Sequence, residues 1–171
     1  MKTDNYTVGL GAAMLLWSQA AFCIHNAQVA LDVSAESVAR VALYYDGKPL
    51  NDNNIDFPLR VNDISRRFEQ TSLFFYLVGN VDQADIVFTE NNFVLSQADN
   101  SSATISLNGH FIFNNAESSA TQNLRMPVLK DIAQKSHDSG AKVRFVSEYL
   151  ASHYAQGRYA NVFTLIITPV I

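Results

Sequence analysis

Cys23 is the only cysteine in the chain. A single thiol forms no internal disulfide and no cysteine metal cluster. Charge is scarce too: 16% of residues are charged, the net charge is −4, and no basic cluster occurs. That excludes the electrostatic footprint of a nucleic-acid partner. Long apolar runs are missing except Val8 to Trp17, which is too short to span a bilayer. The histidines His25, His110, His137 and His153 have no metal-ligand spacing. There is no nucleophile elbow, phosphate-binding glycine loop or dinucleotide fingerprint. His137-Asp138-Ser139 brings together the residue types of a catalytic triad, but adjacency is not triad geometry, and a solvated turn is expected there. The sequence therefore points away from an enzyme and implies no cofactor or metal.

At 171 residues the chain is long enough to bury one substantial core. Its N-terminus reads as a secretory leader. Lys2 precedes the apolar stretch, and Ser18-Gln19-Ala20 supplies small residues for cleavage after Ala20. Cys23 then lies near the mature N-terminus, or is lost with the leader if cleavage falls later.

Beyond the leader, polar uncharged residues and β-branched or aromatic runs dominate, as in a β protein. Ala27 to Ala35 alternates, with Val29, Leu31, Val33 and Ala35 on one face. Val38 to Tyr45 reads as a strand ending in the Asp46-Gly47 turn. Ile55 to Val61 is a short strand demoted by Pro58. Arg66 to Val78 and Ala84 to Thr89 are strands on either side of Gly79-Asn80. Asn108-Gly109 between alternating segments predicts a hairpin. Asn114 to Gln122 reads as a loop. Leu124 to Lys135 is either a strand with Pro127 at an edge or a short helix from Val128. Lys142 to Phe145 alternates. The last strand runs from Tyr159 to Thr168, with Tyr159, Phe163, Leu165 and Ile167 on one face and Pro169 ending the ladder. Many short strands with polar turns predict an all-β sandwich.

The order of several segments resembles a known family. Arg67-Phe68-Glu69-Gln70-Thr71-Ser72-Leu73, the Gly79-Asn80 turn and Ile86-Val87-Phe88 are similar to the centre of the alpha-class (class 5) colonisation-factor pilins, fimbrial subunits of enteric Gram-negative bacteria. Val29 to Glu36 resembles their mature N-terminal extension. Gly157-Arg158-Tyr159 with Phe163 to Thr168 resembles their C-terminal strand. Ser37 stands where that family usually has proline, and residues 114 to 140 match poorly.

The resemblance implies an incomplete immunoglobulin-like β-sandwich lacking one strand. A periplasmic chaperone would cap the gap, and an outer-membrane usher would exchange the cap for the next subunit's extension. On this reading residues 1–20 are the leader, 21–37 the donor extension and 38–171 the pilin domain. Val29, Leu31, Val33 and Ala35 are the donor residues, and Tyr159, Phe163, Leu165 and Ile167 mark the strand whose edge receives chaperone or donor. The protein would be exported through the periplasm to a surface fimbria and would serve attachment, with a receptor the sequence does not name. The competing reading is a secreted monomeric β-sandwich binding module, for example for carbohydrate, in which 27–35 completes its own domain.

Overall fold

The computed structural model describes residues 38–50, 54–98 and 102–171. The leader expected over residues 1–20, Cys23 and the alternating segment 27–35 lie outside the described residues. The all-β expectation holds: regular structure in the described residues consists of strands and three short 3-10 turns.

Strand β1 (Val41–Tyr45) turns into β2 (Lys48–Pro49) through Asp46 and Gly47, both at positive φ (53° and 76°). Two consecutive left-handed residues are what a tight hairpin turn requires, and Asp-Gly meets the requirement. Ile55, Phe57 and Leu59 then point inward with strand-like alternation, but only β3 (Arg60–Val61) makes a ladder. Pro58, which has no N–H to donate, sits in the unpaired part.

The long aromatic strand expected over Arg66 to Val78 divides into β4 (Phe68–Thr71) and β5 (Phe75–Gly79). The division falls at Ser72. Its N–H donates to the Val143 carbonyl, while its hydroxyl accepts from the Val143 N–H at 2.8 Å. The side chain takes over the acceptor role that the next ladder carbonyl would have had, so the backbone can turn away. β6 (Gln83–Phe88), β7 (Phe93–Gln97) and β8 (Thr104–Phe113) follow.

No hairpin forms at Asn108-Gly109. β8 runs straight through it, paired with β11 (Ala141–Ser147) from Phe113↔Ala141 to Leu107↔Ser147. Gly109 is needed there for space: a Cβ would stand 2.6 Å from the Phe93 ring and 2.9 Å from the Phe145 ring. The turn comes instead at Asn114 and Asn115, both at positive φ (51° and 61°), leading into β9 (Ala116–Ser119) where a loop was expected. Between Leu124 and Lys135 the strand alternative is the observed one: β10 (Leu124–Leu129) ends before a 3-10 turn at Ile132–Gln134. The chain closes with β12 (Tyr159–Ala160) and β13 (Leu165–Val170).

Two layers result. β6, β13 and the first part of β10 form the smaller sheet, and the other strands form the larger. β10 joins them: Leu124 to Pro127 pair antiparallel with β6, then Val128 and Leu129 pair parallel with β5. Phe88 of the smaller sheet packs on Phe93, Phe111 and Phe145 of the larger, at centroid distances of 5.4, 5.7 and 5.7 Å. Together with buried Leu77, Ile86, Met126 and Phe111 these rings make the core. Alternation along β8 and β11 places Ile105, Leu107, Phe111, Val143 and Phe145 inside. This is the packing of a β-sandwich of immunoglobulin-like kind.

Candidate strand-acceptor edge

β13 is apolar on both faces and paired on one side. Its register with β6 runs from Leu165↔Phe88 to Val170↔Gln83, and among the described residues no strand pairs with its other edge. Leu165 and Ile167 face the core but stay half-buried, whereas Ile166 is 44% exposed on the outer face. The ladder continues past Pro169, a residue confined in sheets to edges and bulges. Val41, Leu43 and Tyr45 of β1 and Ile55, Phe57 and Leu59 are likewise half-buried against the core.

The single C-terminal strand expected from Tyr159 to Thr168 is in fact two. Tyr159 pairs with Gln97 at the opposite edge of the larger sheet, and its hydroxyl donates to the Ala155 carbonyl at 2.9 Å. The chain then crosses between the sheets over Asn161 to Thr164. Asn161 Nδ2 donates to the Val94 carbonyl (2.7 Å), and its Oδ1 accepts from the Val162 N–H (2.8 Å). The Thr164 N–H reaches the Glu90 carboxylate at 3.0 Å. These polar anchors interrupt the ladder, which apolar alternation alone did not reveal. Phe163 lies within the crossover, its ring 5.2 Å from Phe93 and 5.4 Å from Phe145. The structure therefore groups Phe163, Leu165 and Ile167 against one stretch of core and places Tyr159 apart from them. Val29, Leu31, Val33 and Ala35 fall outside the described residues.

The polar clusters have structural partners. Arg144 of β11 holds Glu69 of adjacent β4 (2.8 Å) and, across β8, Glu117 of β9 (3.1 Å), with His110 3.5 Å from Glu117. Burial works against the Arg144 charge, but the two carboxylates prevail and raise its pKa. Asp85 and Arg125 form a two-bond pair across β6 and β10 (2.8 and 3.0 Å), and the bond from Arg125 holds the Asp85 carboxyl below its ordinary pKa. Ser139 bonds to Ser136, and His137 packs edge-on against Phe74 at 4.9 Å, so His137-Asp138-Ser139 is a turn, as expected. Among the described residues no His, Cys, Asp and Glu side chains gather as metal ligands would. One surface depression, about 460 Å³, is open to solvent and lined by Asn92, Asn108, His110, Ser119, Thr121 and Glu148 among others.

No family model and no curated protein matches the chain. Among solved structures, one described as "Chaperone-tip adhesin complex is vital for synergistic activation of CFA/I fimbriae biogenesis" contains a similar chain, at a TM-score of 0.49 and 12% identity. The match covers 76% of this chain and 42% of that one, so this chain spans less than half of that neighbour's length.

Proposed function

We propose that the protein is a fimbrial subunit that polymerises by donor-strand exchange. The observation that carries this reading is β13, a two-sided apolar strand with one ladder partner among the described residues and half-buried Leu165 and Ile167 beneath its open edge. An exposed apolar edge invites pairing with another chain, and strand addition is the mode that supplies it. The alternating segment with Val29, Leu31, Val33 and Ala35 has the spacing to fill such an edge on a second copy, and its resemblance to pilin extensions supports the same role. Burying those side chains is worth about 5–8 kcal/mol before ordering costs. Before assembly a periplasmic chaperone would occupy the edge, and an usher would oversee the exchange on the way to the cell surface. Co-expression with a cognate chaperone, followed by sizing after its removal, tests the proposal. Polymer that resists mild denaturant is the expected result, and a stable monomer would favour the binding module instead.

A further inference from the structure

Strand directions distinguish the two ends of the sandwich. β13 runs parallel to β10, and β10 runs parallel to β5, which ends at Gly79 beside Arg40. β13 therefore starts, at Leu165, at the end where β11 finishes and β4 begins. It stops, at Val170, at the Arg40 end.

The Leu165 end carries a concentration of exposed apolar side chains: Val61 (46%), Ile64 (96%), Tyr149 (50%), Leu150 (49%) and Val162 (76%). Ile64 is held outward by a braced loop. Asn62 Oδ1 accepts from the Ile64 and Ser65 N–H groups at 2.9 and 3.0 Å, and the Arg66 N–H returns to the Asn62 carbonyl at 2.8 Å. Arg66 adopts a positive φ of 55°, uncommon for a side chain of its kind, and its carbonyl accepts from the Ala151 N–H at 2.8 Å, tying this loop to the one bearing Tyr149 and Leu150. A fixed, exposed, apolar group of this kind marks an interaction surface.

Chain length names the occupant, given the donor-strand reading above. A donor pairing antiparallel to β13, as β6 does on the other side, runs from the Arg40 end to the Leu165 end. Its last residue, Ala35, is then at the Leu165 end. Only Glu36 and Ser37 separate Ala35 from Val38, where the described domain begins. Three Cα steps reach about 10 Å. The body of the donating copy is thus held against this end. Its root is firm, because Asn80 bonds the backbone at Val38 and Arg40, and the Val38 side chain is 48% exposed. We infer that the Ile64–Leu150 end is the seat for the Val38 root of the next copy, so that an apolar body-to-body contact stiffens the strand-exchanged joint.

The test uses the full chain carrying Cys23→Ser, Val38→Cys and Ile64→Cys, assembled into polymer and treated with a short bis-maleimide. A second chain carries Leu150→Cys in place of Ile64→Cys. The expected result is a ladder of covalent multimers that survives boiling, whereas either single-cysteine chain gives at most dimers. Normal polymer with no ladder from either pair would overturn the seat while leaving strand exchange intact. Absence of polymer from the Cys23→Ser parent itself would overturn strand exchange, and the seat with it.

Discussion

Asn80 grips Arg40 from both sides. Its side-chain oxygen accepts from the Arg40 N–H at 2.6 Å, and its own N–H donates to the Arg40 carbonyl at 3.1 Å. The remaining amide hydrogens reach the Val38 carbonyl at 2.7 Å. Asn80 follows Gly79, the last residue of β5, whose Cα side lies against the Arg40 carbonyl, so the grip is possible only because residue 79 lacks a Cβ. Asn80→Ala should remove two side-chain bonds at an exposed site and lower stability by about 1 kcal/mol. Faster hydrogen exchange at the Arg40 amide, with the core amides unchanged, is the check. Equal protection at Arg40 in both proteins would show that the grip contributes nothing.

Gly109 and the Asn114-Asn115 pair exchange the roles that local sequence suggests for them. Gly109→Ala should destabilise by about 1–3 kcal/mol, the range for overpacking a core, because the new methyl meets the Phe93 and Phe145 rings. Asn115→Val should also destabilise, through a β-branched residue forced to φ 61°. Thermal melts compare the two. An unchanged melting temperature for Gly109→Ala would mean that the rings have room to retreat.

Asn108-Gly109 shows what the sequence concealed and why. Asn-Gly is the strongest short-range turn signal, yet it is local, and the pairing of β8 with β11 is not. Ile105, Leu107 and Phe111 keep the period of two across the glycine, and that longer pattern decided the outcome. Asp46-Gly47, where the local signal and the neighbouring strands agree, was legible. The kink at Ser72 and the crossover at Asn161 depend on side-chain hydrogen bonds to distant backbone groups, the Val143 N–H and the Val94 carbonyl. No periodicity records those. Of the candidate site, the apolar character of Leu165 to Ile167 was readable, but the removal of Tyr159 to another edge was not.

Phe163 closes the core where the chain crosses between the sheets. It touches Phe93 and Phe145 but is only half-buried, so Phe163→Ala should cost about 2–4 kcal/mol, at or below the usual loss for a buried ring. Urea unfolding of the chaperone-free chain measures it. A loss under about 1 kcal/mol would place the ring outside the cooperative core.

The Asp85–Arg125 pair predicts a pH response with a definite sign. The bond from Arg125 lowers the folded-state pKa of Asp85, with the Arg125 charge adding to it and partial burial opposing. The contribution is then fully present above the unfolded aspartate value of about 3.9 and disappears as pH falls through the lower folded value. The Arg125 side chain is mostly exposed and that of Asp85 partly covered, which keeps the effect small and salt-sensitive. Stability measured from neutral to acid pH should fall less steeply below about pH 4 in Arg125→Met than in the parent. Identical acid limbs would show that the pair is screened to nothing.

Leu31 offers the sharpest test of function, because strand exchange separates its effect on assembly from its effect on folding. In the donor reading Leu31 is the central apolar side chain presented to another copy, between Val29 and Val33. A carboxylate placed there must enter the apolar region bounded by Leu165 and Ile167. Leaving it charged and unpaired costs several kcal/mol, comparable with the whole side-chain gain of about 5–8 kcal/mol from the donor. Leu31→Asp should therefore abolish polymer while the chaperone-bound subunit stays folded. Asp32→Ala should assemble nearly as well as the parent, since alternation turns residue 32 away from the edge. Sizing and circular dichroism on the same preparations separate the outcomes. Normal polymer from Leu31→Asp removes the donor role. A subunit that unfolds on that substitution, with no polymer from the parent, means that residues 27–35 complete their own domain and that the protein acts as a monomer.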